Sequence, residues 1–211
     1  ILYGGPKLVN DEWVDEKTPL VVFINSGGSS FIEKTSEVFL GSVPGYTHVR
    51  ETATGDFNND GLEDILICDL GLDASPFSGD YNAILYQQQD GTLVEDRGDS
   101  NTFDYRGFTH SCTVSDINKD GDVDIFLNDT TGADLEHRDE LRILVNEDGK
   151  FTKRNIPVPY EYLANEDWTA IKLADLDNDG YPDLILGKSG WDSASNSNVF
   201  WNDGKGEFSY Q

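Results

Sequence analysis

Short apolar runs recur along the chain, separated by stretches rich in Asp, Asn, Gly and Ser: Val21-Val22-Phe23-Ile24, Ile65-Leu66-Ile67, Ala83-Ile84-Leu85-Tyr86, Ile125-Phe126-Leu127, Ile143-Leu144-Val145 and Leu184-Ile185-Leu186. Their brevity, their β-branched residues and the absence of a helical period predict buried strands. A hairpin pattern recurs with them. LVVFINSGGSSFIEKT from Leu20, AILYQQQDGTLVEDR from Ala83, LRILVNEDGKFTKRN from Leu141 and NVFWNDGKGEFSYQ from Asn198 each read as an apolar strand, a Gly-containing turn and a second strand. The second strands are anchored by Phe31, Leu93, Phe151 and Phe208.

A polar word marks the same rhythm. DFNNDGLED at 56–64, DINKDGDVD at 116–124 and DLDNDGYPD at 175–183 share one skeleton, and their first Asp residues fall 60 and then 59 positions apart. Alternate side chains at loop positions 1, 3, 5 and 9 carry oxygen, position 7 offers a backbone carbonyl, and Gly holds position 6, where the chain must turn sharply. Such a set suits Ca²⁺. The predicted ligands are Asp56, Asn58, Asp60, Leu62 and Asp64; Asp116, Asn118, Asp120, Asp122 and Asp124; and Asp175, Asp177, Asp179, Tyr181 and Asp183, with Leu62, Asp122 and Tyr181 contributing the carbonyl. An EF-hand would require a bidentate Glu at position 12 and flanking helices. Position 12 is Ile67, Leu127 and Leu186, inside the apolar runs.

Four short strands per repeat of about sixty residues, with the acidic loop between the first and second, predict an all-β chain of four-stranded antiparallel propeller blades. The expected division is an incomplete blade at 1–36 and full blades at 46–95, 108–154 and 167–211, because Ile1-Leu2-Tyr3-Gly4-Gly5 aligns with the strand that follows a loop. This phase predicts a segment of a longer propeller. The rival is a four-bladed ring whose missing innermost strand lies outside the chain or comes from another molecule.

The three DxDxDGxxD-type loops, each followed by [Ile/Leu]-x-[Ile/Leu], together with the closing hairpins, resemble the FG-GAP or VCBS repeats, the calcium-loop blades also found in integrin α subunits. The resemblance covers essentially the whole chain. It implies a propeller with structural Ca²⁺ at three sites and leaves activity open, since one scaffold hosts many functions. Asn58 and Asn118 stand where the third site has Asp177, so the third is expected to bind most tightly. The resemblance also implies that the face opposite the calcium loops bears the ligand. Long loops on a rigid scaffold commonly hold binding residues, and here they carry Trp13, Phe77, Tyr81, Phe103, Tyr105, Phe108, Tyr160, Tyr162 and Trp191, with Arg106 and Arg138. A carbohydrate or protein ligand is expected there.

The net charge is −25, and three Ca²⁺ would leave about −19, which argues against nucleic acid as partner. No apolar run is long enough for membrane insertion. Loops of this kind need Ca²⁺ above cytosolic levels, so an extracellular setting, secreted or at a cell surface, is expected. Cys68 and Cys112 are positioned on strands of adjacent blades, where a disulfide is geometrically feasible, but two buried free thiols are the expected state.

An enzymatic alternative rests on His48 and His110, which open innermost strands as YTHVRE and FTHSCT, with Trp168 in the comparable place. With Tyr105, Arg50 and Arg106 they supply the base, proton donor and cation that a propeller-type lyase acting on uronate-containing glycans would need. Arg97-Gly98-Asp99-Ser100 matches an integrin-recognition tripeptide, with chance as the better account.

Overall fold

A computed structural model describes residues 7–10, 12–14, 16–74, 77–97, 103, 105–129, 140–155, 168–188 and 197–210. Three four-stranded antiparallel sheets dominate, each a simple meander. The first contains β7 (Val49–Gly55), β8 (Asp64–Asp69), β9 (Ala83–Gln87) and β10 (Leu93–Arg97). The second contains β11 (Thr109–Ser115), β12 (Asp124–Asp129), β13 (Glu140–Glu147) and β14 (Lys150–Asn155), and the third β15 (Trp168–Ala174), β16 (Asp183–Lys188), β17 (Asn198–Asn202) and β18 (Phe208–Tyr210). The first strands of successive sheets lie side by side, with β11 between β7 and β15. This all-β arrangement is consistent with a β-propeller-like fold.

The continuous apolar run of β12 arises because this second strand is covered on both faces. In β12, Ile125 and Leu127 pack toward the first sheet with Leu66, Cys68 and Ile84, whereas Phe126 points the other way, into a cluster with Ile171, Leu184, Leu186 and Phe200. Alternate side chains thus serve different cores, and no position in β12 is left for a polar, solvent-facing residue. Each fully buried side chain of this size contributes about 1.5–3 kcal/mol. Ile67, Leu127 and Leu186, the position-12 residues, are all buried in strands.

Turn chemistry follows the sequence. Asp148 and Gly149, both at positive φ, join β13 to β14 through a two-residue turn closed by the Glu147–Lys150 pair. Before the first complete sheet, β4 (Phe23–Asn25) and β5 (Phe31–Glu33) form the expected hairpin. The segment read as a loop before it contains a second hairpin, β1 (Lys7–Val9) with β2 (Glu12–Val14), while β3 (Thr18–Pro19) pairs with β6 (Gly45–Tyr46). A single helical turn, α1 (Thr35–Val38), lies in the connection that follows. Residues 1–5, on which the alignment of the first blade rests, lie outside the described residues.

The expectation of free thiols is corrected: Cys68 and Cys112 form a disulfide with a Cα–Cα distance of 6.4 Å. Cys68 on β8 faces the second sheet and Cys112 on β11 faces back, so both sulfurs enter the same core between adjacent sheets. The 44-residue separation makes the bridge a substantial constraint on the unfolded chain. Reduction should therefore cost about 2–4 kcal/mol, read as a lower urea midpoint in reducing buffer. Coincident unfolding curves with and without reductant would show that the bridge contributes nothing.

Candidate functional site

The three acidic segments join first to second strands at corresponding places: β7 to β8, β11 to β12 and β15 to β16. Each is held by the same backbone bonds. The position-6 amide donates to the position-1 carboxylate, from Gly61 to Asp56, Gly121 to Asp116 and Gly180 to Asp175, at 2.9–3.0 Å. The position-7 amide donates to the position-5 carboxylate, from Leu62 to Asp60, Asp122 to Asp120 and Tyr181 to Asp179. These bonds curl the chain so that oxygens point inward.

Position 9 does more than ligation requires. Asp64, Asp124 and Asp183 accept the position-2 amide on one oxygen and, on the other, the amide of Gln87, Asn146 or Asn202 at the end of the third strand. The carboxylate thereby ties loop to sheet. Burial pushes the Asp124 carboxyl up to about 6 and raises that of Asp64 as well, with nearby loop aspartates adding to both.

The sequence reading missed two features of these loops. Position 4 is left-handed as well as position 6, with Asn59, Lys119 and Asn178 at φ of 58–63°. Asn at two of the three was the available signal. The second omission is a buried amide behind each of two loops: Asn146 donates to the carbonyls of Phe57 and Val123, and Asn202 to those of Ile117 and Pro182. Each Asn therefore spans two adjacent sheets. Its only trace in sequence is an Asn shortly before the hairpin Gly.

The donors of the loops fit a hard cation. In the third loop, carboxylate oxygens of Asp175, Asp177 and Asp183 lie within 4.8 Å of one another, a geometry able to hold a metal ion. Asn58 and Asn118 replace the middle carboxylate in the other loops, and there the amide nitrogen turns to donate to Asp60 or Asp120. In the second loop Asp116 Oδ1 is buried without a hydrogen-bond partner. An all-oxygen set with an unspent buried carboxylate oxygen suits Ca²⁺ and gives no support to a soft metal.

At the opposite end of the first strands, buried charges knit the loops together. Arg97 lies 3.1 Å from Asp80 and 3.6 Å from Asp69, stacks over Tyr46 and donates to the Gly45 carbonyl. Burial works against the charge of Asp80, but Arg97, the Tyr81 amide and Lys17 outweigh it and hold the carboxyl below its ordinary range. A second knot joins the fully buried Arg142 to Asp129, with Arg142 stacked on the Tyr105 ring and the Tyr105 hydroxyl donating to Asp129. Tyr105 is thereby committed to structure, and burial, reinforced by Asp129, raises its pKa well above the ordinary value. Arg106 approaches Asp80 at 4.0 Å. Arg97 is spent in the first knot, which removes it from any exposed recognition tripeptide; Gly98, Asp99 and Ser100 lie outside the described residues.

Among the loop aromatics, Phe103 and Phe108 are buried, Tyr81 is half-buried, and Phe77 is exposed with its ring edge-on to Phe108. The side chain of Trp13, and Tyr160, Tyr162, Trp191 and Arg138, fall outside the described residues.

His48 and His110 do come together, lining one cleft of about 450 Å³ with Arg50, Glu51, Ser111, Thr169 and Lys172. Their expected equivalence needs correction. They precede the first loop Asp by 8 and 6 residues, and Trp168 by 7. The strand registers place Val49, Thr109 and Trp168 opposite Asp69, Asp129 and Lys188, each followed by a one-residue irregularity before Glu51, Ser111 and Ala170. His110 therefore corresponds to Arg50 and Thr169, the extra residues of a recurrent bulge, while His48 lies outside β7. Bulges re-aim a side chain, and here all three line the cleft. Tyr105 and Arg106 are not among its lining residues.

Residues 116–186 match the FG-GAP-like repeat. This FG-GAP-like span runs from the second acidic loop into β16, so it contains two of the three loops and strands β12 to β15 between them. No curated protein matches the chain by sequence. Among solved structures, an exotype rhamnogalacturonan lyase, YesX, is similar at 14% identity and a TM-score of 0.43, over 79% of this chain. The chain spans about a third of the length of that lyase, covering 33% of it. Among the described residues, no helix is long and apolar enough to cross a membrane.

Proposed function

We propose that the chain is a calcium-stabilised recognition module of a secreted or cell-surface protein, binding a carbohydrate or protein ligand on the face opposite its acidic loops. The observation that carries the metal reading is the convergence of Asp175, Asp177 and Asp183, repeated in skeleton by the other FG-GAP-like loops. The ion is structural in this reading: it neutralises carboxylates that are otherwise drawn together against their mutual repulsion. Ca²⁺ occupies all three loops, most tightly the one with Asp177. The Cys68–Cys112 bridge is compatible with an oxidising, extracellular setting.

A further blade or another chain completes the array on its last sheet. Position-2 residues Phe57 and Ile117 are fully buried by the sheet that follows, whereas Leu176 is 43% exposed. Ile185 and Trp201, which point away from the preceding core, are also only partly covered.

The recognition reading is tested by screening Ca²⁺-loaded protein against an array of neutral and acidic oligosaccharides and a panel of extracellular proteins, with chelated protein alongside. Binding that requires Ca²⁺ is expected, and a folded, Ca²⁺-loaded protein that retains nothing would overturn it. The lyase reading draws on the shared cleft of His48 and His110, but Tyr105 is occupied elsewhere. It predicts unsaturated, ultraviolet-absorbing products from uronate-containing glycans.

A further inference from the structure

The cleft at the bulges carries the opposite charge balance to the molecule around it. The chain has 40 acidic and 15 basic side chains besides three histidines, yet the cleft gathers Arg50, Lys172, His48 and His110 against one carboxylate, Glu51. That carboxylate is already committed. Glu51 pairs with Lys172 through one oxygen and accepts the Cys112 amide on the other. Arg50 makes no ion pair among the described residues, although most ionisable side chains here are acids. A cation left unpaired in so acidic a protein is an unspent charge.

Geometry makes these groups convergent. Arg50 and His110 occupy the same bulge position on neighbouring first strands, and Thr169 occupies it on the third, so three adjacent strands each turn one polar side chain into the cleft. His48 contributes a buried Nδ1 with no hydrogen-bond partner. Ser111 and Thr169 add hydroxyls. Asp73 and Asp69 lie near His48, while burial and the Arg50 charge favour its neutral form. A neutral imidazole still donates one hydrogen bond. A volume of about 450 Å³ is within the range of small-ligand sites.

We propose that this cleft binds a small singly charged oxyanion borne on a hydroxyl-rich ligand, such as a carboxylated or sulfated sugar, with Arg50 as the principal charge partner and His110 and His48 as hydrogen-bonding groups. A guanidinium suits planar oxyanions, and the hydroxyls of Ser111 and Thr169 suit those of a sugar. A long polyanion is disfavoured because only the cleft is cationic, while the surrounding field repels negative charge. The proposal rests on the reading of this end as the ligand-bearing face and adds the chemistry of the ligand.

The test titrates D-glucuronate, glucose 6-sulfate, inorganic sulfate and D-glucose into the Ca²⁺-loaded chain, followed by calorimetry and by amide shifts of residues 48–51 and 110–111. Glucuronate or the sulfated sugar is expected to bind saturably, with glucose at least about tenfold weaker, and to weaken as ionic strength rises. Saturation by inorganic sulfate as strongly as by either sugar would assign the site to the free anion and overturn the sugar component. Arg50→Gln, an exposed position, is expected to lose roughly tenfold in affinity with an unchanged melting temperature, and Lys205→Gln to change nothing. Equal binding of glucose and glucuronate, or full binding by Arg50→Gln, would overturn the anion site while leaving a recognition module standing. If no probe binds and the oligosaccharide and protein panel is also blank, both readings fall.

Discussion

Arg142→Ala is expected to destabilise the protein by about 3–5 kcal/mol. The guanidinium is completely buried, sits 3.5 Å above the centroid of Tyr105 and lies 3.5 Å from a carboxylate oxygen of Asp129. That carboxylate also accepts the hydroxyls of Tyr105 and Thr109, both neutral donors. Removing Arg142 takes away the cation that faces this buried carboxylate, and it leaves one face of the Tyr105 ring uncovered. The stacked cation itself accounts for about 2 kcal/mol where water is excluded. Urea denaturation of the oxidised, Ca²⁺-loaded protein would measure the loss. Pairing Arg142→Met with Asp129→Asn should recover much of it, since a knot without charge has no orphan. A single-variant loss below about 1 kcal/mol would refute the buried pair.

Chelation is expected to produce the other large effect. An ion that binds only the folded state at a hundredfold excess over its dissociation constant adds about 2.7 kcal/mol per site. For a chain of this size that corresponds to roughly 5–10 °C in melting temperature from one loop alone. Asp183→Ala should remove the third-loop share together with the latch to the Leu176 and Asn202 amides. Asp177→Asn should remove ligand charge alone and leave the chelated protein as stable as its parent. Equal melting temperatures with Ca²⁺ and with chelator would end the structural-ion reading.

The chelated state also has a defined pH response. Folding raises the Asp124 carboxyl from its ordinary 3.8 to about 6, so the native state binds more protons than the unfolded state between those values. Stability contributed by this group is therefore lost as pH rises through that window. Asp64 acts in the same direction. Bound Ca²⁺ would oppose the loss by favouring the ionised carboxylates, so the gap between Ca²⁺-loaded and chelated melting temperatures should widen from pH 5 to pH 7.

Much of this was legible in the residues themselves. The strands after the loops, the hairpins and the exclusion of an EF-hand follow from apolar runs that end in Gly turns and from Ile67, Leu127 and Leu186 at position 12. These are local signals, and local rules set them. The correspondence of His110 with Arg50 was present in the spacing, each standing six residues before the first loop Asp, but the shared Thr-His pairs at 47–48 and 109–110 masked it; the bulge itself was hidden, because any residue type tolerates that position. The disulfide was hidden for a different reason. Whether Cys68 and Cys112 meet depends on which face each strand presents to its neighbouring sheet, a non-local fact. The cross-sheet amides of Asn146 and Asn202 were likewise invisible, because an Asn near a turn is usually read as part of the turn.

Those two amides give the array a direction. Asn146 of the second sheet grips the Phe57 carbonyl within the first acidic loop, and Asn202 of the third grips Ile117 within the second. Asn59 of the first loop, in turn, reaches forward to Asp122, and Lys119 of the second covers the ring of Tyr181. The first two loops are thus each finished by the sheet encoded after them, so during synthesis such a loop emerges from the ribosome incomplete and is closed only when the chain has folded through an Asn 85 or 89 positions further on. Metal capture would proceed down the chain one blade behind folding, like a zip drawn from its N-terminal end.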